Sequence, residues 1–164
     1  MIVVSDTTPI ISLLKINRLD LLKKLYGSVL LPRAVFSELT SNKTYQSEAD
    51  IISQSDFIEC RDVRNTQALT VLQALTTLDL GESEAIILAQ EYEADVLLMD
   101  EAKGRKVAQQ LHIPLSGALG VLIDCFDSGL LAKSEVSECL DILQQAGRRI
   151  SGHLINKVRD YINE

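Results

Sequence analysis

The sequence predicts an α/β fold: a three-layer α/β/α sandwich around a central, mainly parallel sheet, with extra helices at the C-terminal end. Three observations carry that expectation. Short apolar runs, Ile2-Val3-Val4, Val29-Leu30-Leu31 and Val96-Leu97-Leu98-Met99, have the length and branching of strands buried on both faces. Each is followed by a segment with apolar residues at helical spacing, and strands alternating with helices imply parallel pairing. The length of 164 residues suits about one domain, so residues 1–164 are expected to form one unit. Its core would span about 1–130 and a helical extension about 131–164.

The elements follow in order. After the first strand, Ile10, Leu13, Leu14, Leu21, Leu22 and Leu25 suit a helix interrupted near Asn17 and ended by Gly27. Val29 to Leu31 forms a second strand closed by Pro32, and Ala34, Val35 and Leu39 fit a helix with Pro at its start. Residues 41–56 turn polar and read as a loop or an exposed short helix around Glu48 to Ser53, a candidate flap. A short strand is expected over Phe57 to Cys60. Thr66 to Thr76 then carries Ala68, Val71, Leu72 and Leu75 at helical spacing. Gly81 opens a strong helix, Glu82 to Glu93, before the buried strand Val96 to Met99, which stops at Asp100-Glu101. Lys103 to Leu111 reads as a helix, and Ile113-Pro114-Leu115 as a last short strand. Three helices complete the chain, over Ala118 to Phe126, Ser134 to Gln144 and Ser151 to Ile162, joined at Gly129 and Gly147.

Composition narrows the chemistry. Aromatic residues are only 4% of the chain, so aliphatic packing carries the core and base stacking has few candidates. No apolar run approaches the roughly 20 residues that span a bilayer, and the N-terminus lacks a signal-peptide pattern. A cytoplasmic protein with no membrane partner is expected. Cys60, Cys125 and Cys139 are odd in number and widely spaced, which implies reduced thiols rather than a disulfide framework or a zinc knuckle. With His112 and His153 as the only imidazoles, a metal site must be built from carboxylates. The net charge of −7 argues against a surface coated for non-specific nucleic-acid binding, yet leaves room for a local basic groove.

Parallel sheets bind ligands beyond the carboxyl ends of their strands. Asp6 and Asp100 stand immediately after strands, Glu38 lies on the helix after the second strand, and Glu82 and Glu84 occupy the first turn of the helix leading into the Asp100 strand. Crowded carboxylates take up protons unless a cation neutralises them, and Mg²⁺ or Mn²⁺ is the cation that prefers oxygen ligands. Such a site activates water and holds a phosphodiester for hydrolysis. Ser5, Thr7 and Thr8 would orient a carboxylate, a water or a phosphate oxygen. Each acid also has a plain structural reading: Asp6 as a helix cap, Glu82 and Glu84 as residues favoured by a helix dipole, Glu38 as a solvated side chain, Asp100-Glu101 as a cap. Independent capping does not predict acids from four strand-helix units projected toward one end of a sheet.

The ordered set VVSDTTPIISLL, LPRAVFSEL, GESEAIILAQEYEADVLLMDE and KGRKVAQQLHIPLSGALGVL resembles the PIN-domain ribonucleases, and within them the compact VapC-like toxin relatives. It covers the first two-thirds of the chain closely and the remaining helices loosely. The resemblance implies that Asp6, Glu38, Glu84 and Asp100 form an acidic quartet that binds Mg²⁺ or Mn²⁺ and activates water to cleave RNA, with Glu82 competing for the third place. Two departures stand out: the third acid is often Asp in typical members, and the Thr often found two residues before the fourth acid is Leu98 here. The resemblance also implies a toxin of a type II toxin–antitoxin system, a small antitoxin partner and a homodimer.

The RNA itself would be held by cations. Lys103, Arg105 and Lys106 follow Asp100 directly, and Arg148, Arg149, Lys157 and Arg159 form a second basic group. Two other readings compete: a catalytically inactive PIN-like binding module, and an aspartyl-phosphate receiver or phosphatase-like domain, which would leave Glu38 and Glu84 idle. A dinucleotide-binding domain is disfavoured because no G-x-G-x-x-G follows a strand.

Overall fold

Alternating residues of each short strand face opposite helical layers in the computed structural model, which describes residues 1–147 and 150–163. In β1 (Val3–Ser5), Val3 packs on one side and Val4 on the other. In β2 (Val29–Pro32), Val29 and Leu31 oppose Leu30, and in β4 (Val96–Leu98), Leu98 opposes Leu97. That alternation is the two-residue period of an extended chain with both faces covered. With β3 (Ile58–Arg61) and β5 (Leu115–Ser116) they form one five-stranded sheet in the order β3-β2-β1-β4-β5, parallel throughout.

The chain leaves β1 through α1 (Thr7–Lys15) and α2 (Asp20–Tyr26), which are split at Asn17, where φ is +56°. The first helix therefore starts at Thr7, three residues before the apolar periodicity becomes visible, and the expected interruption is present. Gly27, at φ +84°, ends α2 in a backbone region that side-chain-bearing residues rarely adopt. α3 (Arg33–Ser41) follows β2 directly. Beyond a 3-10 turn at Lys43–Tyr45, the polar stretch forms a full helix, α4 (Gln46–Gln54), packed on α3 rather than standing off as a flap. Ala49 and Ile52, three apart, are its buried anchors.

α5 (Thr66–Leu75) and α6 (Leu80–Glu91) precede β4, and α7 (Ala102–Gln110) precedes β5. α6 is the inner helix of its layer, with Gly81, Ser83, Ala85 and Ala89 small enough for close approach and Ile86 and Leu88 filling the core. The opposite layer holds α1 and α2 against α8 (Ala118–Asp127), α9 (Lys133–Gln145) and α10 (Gly152–Asn163). Cys125 and Cys139 are free thiols buried in that layer, and Cys60 is free and partly exposed. Among the described residues, no helix is long and apolar enough to cross a membrane.

Candidate active site

Strands are added on one side of β1 by β2 and β3 and on the other by β4 and β5, so the succession reverses between β1 and β4. A crevice opens beyond the carboxyl ends of two strands at such a reversal. Asp6 and Asp100 flank it: the Asp6 amide donates to the Leu98 carbonyl at 2.9 Å, and Asp100 comes two residues after Leu98. Asp6 occupies the cap position of α1, yet its side chain accepts no capping hydrogen bond. It is only 3% exposed, and its pKa is pushed up to about 7, first by burial and then by the charges of Glu82, Asp79 and Glu38, against the opposing Thr7 amide.

Those neighbours are fixed by short local bonds. The Thr7 hydroxyl donates to Glu38 Oε2 at 2.9 Å, tying α1 to α3. Asp79 and Glu82 cap α6 reciprocally: the Glu82 amide donates to Asp79 Oδ1 at 2.8 Å and the Asp79 amide to Glu82 Oε2 at 3.0 Å. Gly81 sits between them, and a Cβ there would stand 3.5 Å from Asp79 Oδ1 and 3.7 Å from Glu38 Oε2. Burial raises the pKa of Glu82 as well, reinforced by Asp79 and Glu101 and opposed by the Asp79 amide and the exposed Lys103. Asp6, Glu38, Asp79 and Glu82 therefore share one electrostatic field, with Lys103 at its margin.

Hydrogen bonds fix most of the remaining expected residues. Glu84 Oε2 accepts from the Ala34 amide at 2.8 Å, in the first turn of α3, and lines a surface depression with Glu38 and Asp79. Asp100 Oδ1 accepts from the Ala118 amide at 3.1 Å, and a Cβ at Gly117 would overlap the same oxygen, so a residue without a side chain is needed where α8 begins. Arg105 is committed to the scaffold: its Nη1 donates to the Met99 and Ser116 carbonyls at 2.8 and 3.2 Å, joining the ends of β4 and β5. Thr8 donates to Glu101 at 3.4 Å. In the second basic group, Arg159 binds Ser137 and Asp141, Lys157 is exposed, and Arg148 and Arg149 lie outside the described residues.

Asp79 is the acid that the motif reading missed. Its three-residue spacing from Glu82 is visible in the sequence as a capping pattern, but caps are common and the pattern does not say that the pair also faces Asp6. Among the described residues, no three Asp, Glu, His or Cys side chains form a ready-made cation cage. The donors around Asp6 are nevertheless all hard oxygens. Mg²⁺ is typically held through one or two carboxylates while keeping several waters, so the donor set fits such an ion without a complete protein cage.

A family model described as a PIN domain matches residues 2–164. This chain belongs to the PIN-domain family. The five-stranded parallel sheet between two helical layers is the fold expected of a PIN domain, and the match extends over the C-terminal helices, where the sequence resemblance was loose. No curated protein matches the chain. PIN domains are generally nucleases and typically use divalent metals.

Proposed function

We propose that this PIN-domain protein is a Mg²⁺- or Mn²⁺-dependent endoribonuclease that hydrolyses RNA phosphodiester bonds. The observation that carries the reading is the buried Asp6 carboxyl at the β1/β4 reversal, its pKa pushed up to about 7 first by burial and then by Glu82, Asp79 and Glu38. Such an arrangement is costly for a protein without a cation to neutralise it. Bound there, the divalent ion supplies positive charge for the phosphate transition state and makes water acidic enough to attack. Asp6 and Glu82 are the side chains best placed to hold it, with Glu38 steadied by the Thr7 hydroxyl. Asp100, seated by the Ala118 amide, extends the acidic edge, and Lys103 is the cation beside it that a phosphate would meet. Of the two competing third acids, Glu82 faces this field, whereas Glu84 supports the start of α3.

The finer role rests on resemblance: a type II toxin restrained by a small antitoxin. A homodimer is supported by the groove between α5, α6 and α7, lined by Val71, Leu72, Leu75, Ile87, Val107 and Leu111 and by no charged residue. For a chain of net charge −7, a charge-free face is where two copies meet without repulsion. A catalytically inactive binding module is the second reading, favoured by the lack of a three-ligand cage among the described residues.

Purified protein incubated with single-stranded RNA decides between them. Cleavage is expected with Mg²⁺ or Mn²⁺, should stop with a chelator, and should fall by about 100-fold or more in Asp6→Asn and Glu82→Gln. Expression of the wild type, but not of Asp6→Asn, should arrest growth. Cleavage that survives the chelator or both substitutions would refute the mechanism.

A further inference from the structure

Beside the acids lies a second feature that the metal chemistry does not use. A cavity of about 220 Å³ opens between α1, α3 and the turn before α4, and Thr7 and Glu38 form one of its walls. Its other polar lining is Lys15, Asn42, Tyr45 and Glu48. The space equals about seven waters, room for a single ring system. Tyr45 is one of only seven aromatic residues in the chain, yet it stands 51% exposed at this cavity instead of in the core. The Lys15 ammonium lies 5.1 Å from the centre of its ring and 3.3 Å from Glu48 Oε1, so the tyrosine is tethered rather than free on the surface.

We infer that this cavity is a subsite for one unpaired nucleobase bearing an exocyclic amine, next to the phosphate that is cut. The choice of ligand rests on the nuclease reading; the recognition chemistry is local. An exposed aromatic ring offers a stacking face to a base that is not paired in a duplex. Two carboxylates, Glu38 and Glu48, outnumber the one cation, Lys15. The cavity therefore repels a phosphate and favours a neutral ring that donates N–H groups. Cytosine offers an exocyclic amine with two donors, whereas uracil, of equal size, offers a single N3–H between two carbonyls. Thr7 and Glu38 belong both to this wall and to the acidic edge, which places the base one step from the scissile bond.

Binding of labelled hexacytidylate, hexauridylate and an RNA duplex by fluorescence anisotropy tests the inference, with Asp6→Asn as the parent so that the strands stay intact. Hexacytidylate should bind more tightly than hexauridylate. Tyr45→Ala should weaken it by about 10-fold, Tyr45→Phe should stay within about twofold, and duplex binding should not respond. Glu48→Ala should erase the preference for cytosine. Equal affinity for the two hexamers, or a Tyr45→Ala variant that binds hexacytidylate as the parent does, would overturn the subsite. Cleavage by the wild type is scored separately: a protein that cuts RNA without regard to Tyr45 loses the subsite and keeps the nuclease, and one that binds through Tyr45 yet cuts nothing does the reverse.

Discussion

Asp6 titrates at about 7 in the folded chain against an ordinary value of 3.8, and the sign of its effect on stability follows. Between about pH 4 and 7 the unfolded chain has released this proton and the native chain still holds it, so Asp6 contributes less to stability as pH rises through that window. The loss is at most about 4 kcal/mol for a shift of about three units. Asp6→Asn, uncharged and similar in size, should therefore be more stable than the wild type at pH 8, by about 1–3 kcal/mol, and nearly equal to it at pH 4. Urea unfolding at the two pH values measures this, and a variant equally destabilised at both would contradict it. Asp6 and Glu38 were legible in the sequence because residues just past a strand, or one turn into the next helix, are carried to the sheet edge. Spacing alone ranked neither Glu82 nor Glu84 above the other, because residues two apart on a helix point to different sides. Arg105 shows the same limit, since a basic residue near an acid reads as a phosphate ligand until its guanidinium is found on the Met99 and Ser116 carbonyls.

Helix α5 separates what periodicity tells from what it does not. Ala68, Val71, Leu72 and Leu75 follow helical spacing and the helix forms, yet none of its residues is fully buried, and Leu75 is 80% exposed. An apolar stripe predicts that something covers the helix without saying whether it is the same chain. If a second copy is the cover, the wild type should sediment as a dimer, and Leu75→Glu, placing a charge on each side of the symmetric contact, should sediment as a monomer at micromolar concentration. A monomeric wild type would refute the dimer without touching the acids. α4 errs in the other direction. Its sequence is mostly polar, so residues 41–56 suggested a loop or a short helix, and only the Ala49 and Ile52 pair gave a sign of the packing on α3 that brings Tyr45 beside Glu38.

Across the whole molecule, the alternation of apolar runs with amphipathic segments was enough to predict a layered parallel sheet, because both sheet faces need helices and parallel strands need crossovers. Strand order was not readable, since three- and four-residue strands of Val and Leu carry no sign of which neighbour they join. That order matters for function: with β1 central and β4 beside it, Asp6 and Asp100, more than ninety positions apart, come at the carboxyl ends of adjacent strands at one reversal. The account depends on that reversal holding a divalent ion. Titration of Mn²⁺ into the metal-free protein, followed by its paramagnetic resonance, measures it without RNA or catalysis. Saturable binding to the wild type, weakened about 10-fold or more in both Asp6→Asn and Glu82→Gln, is the predicted result. Binding that is unchanged in both variants, or absent from the wild type, would contradict it.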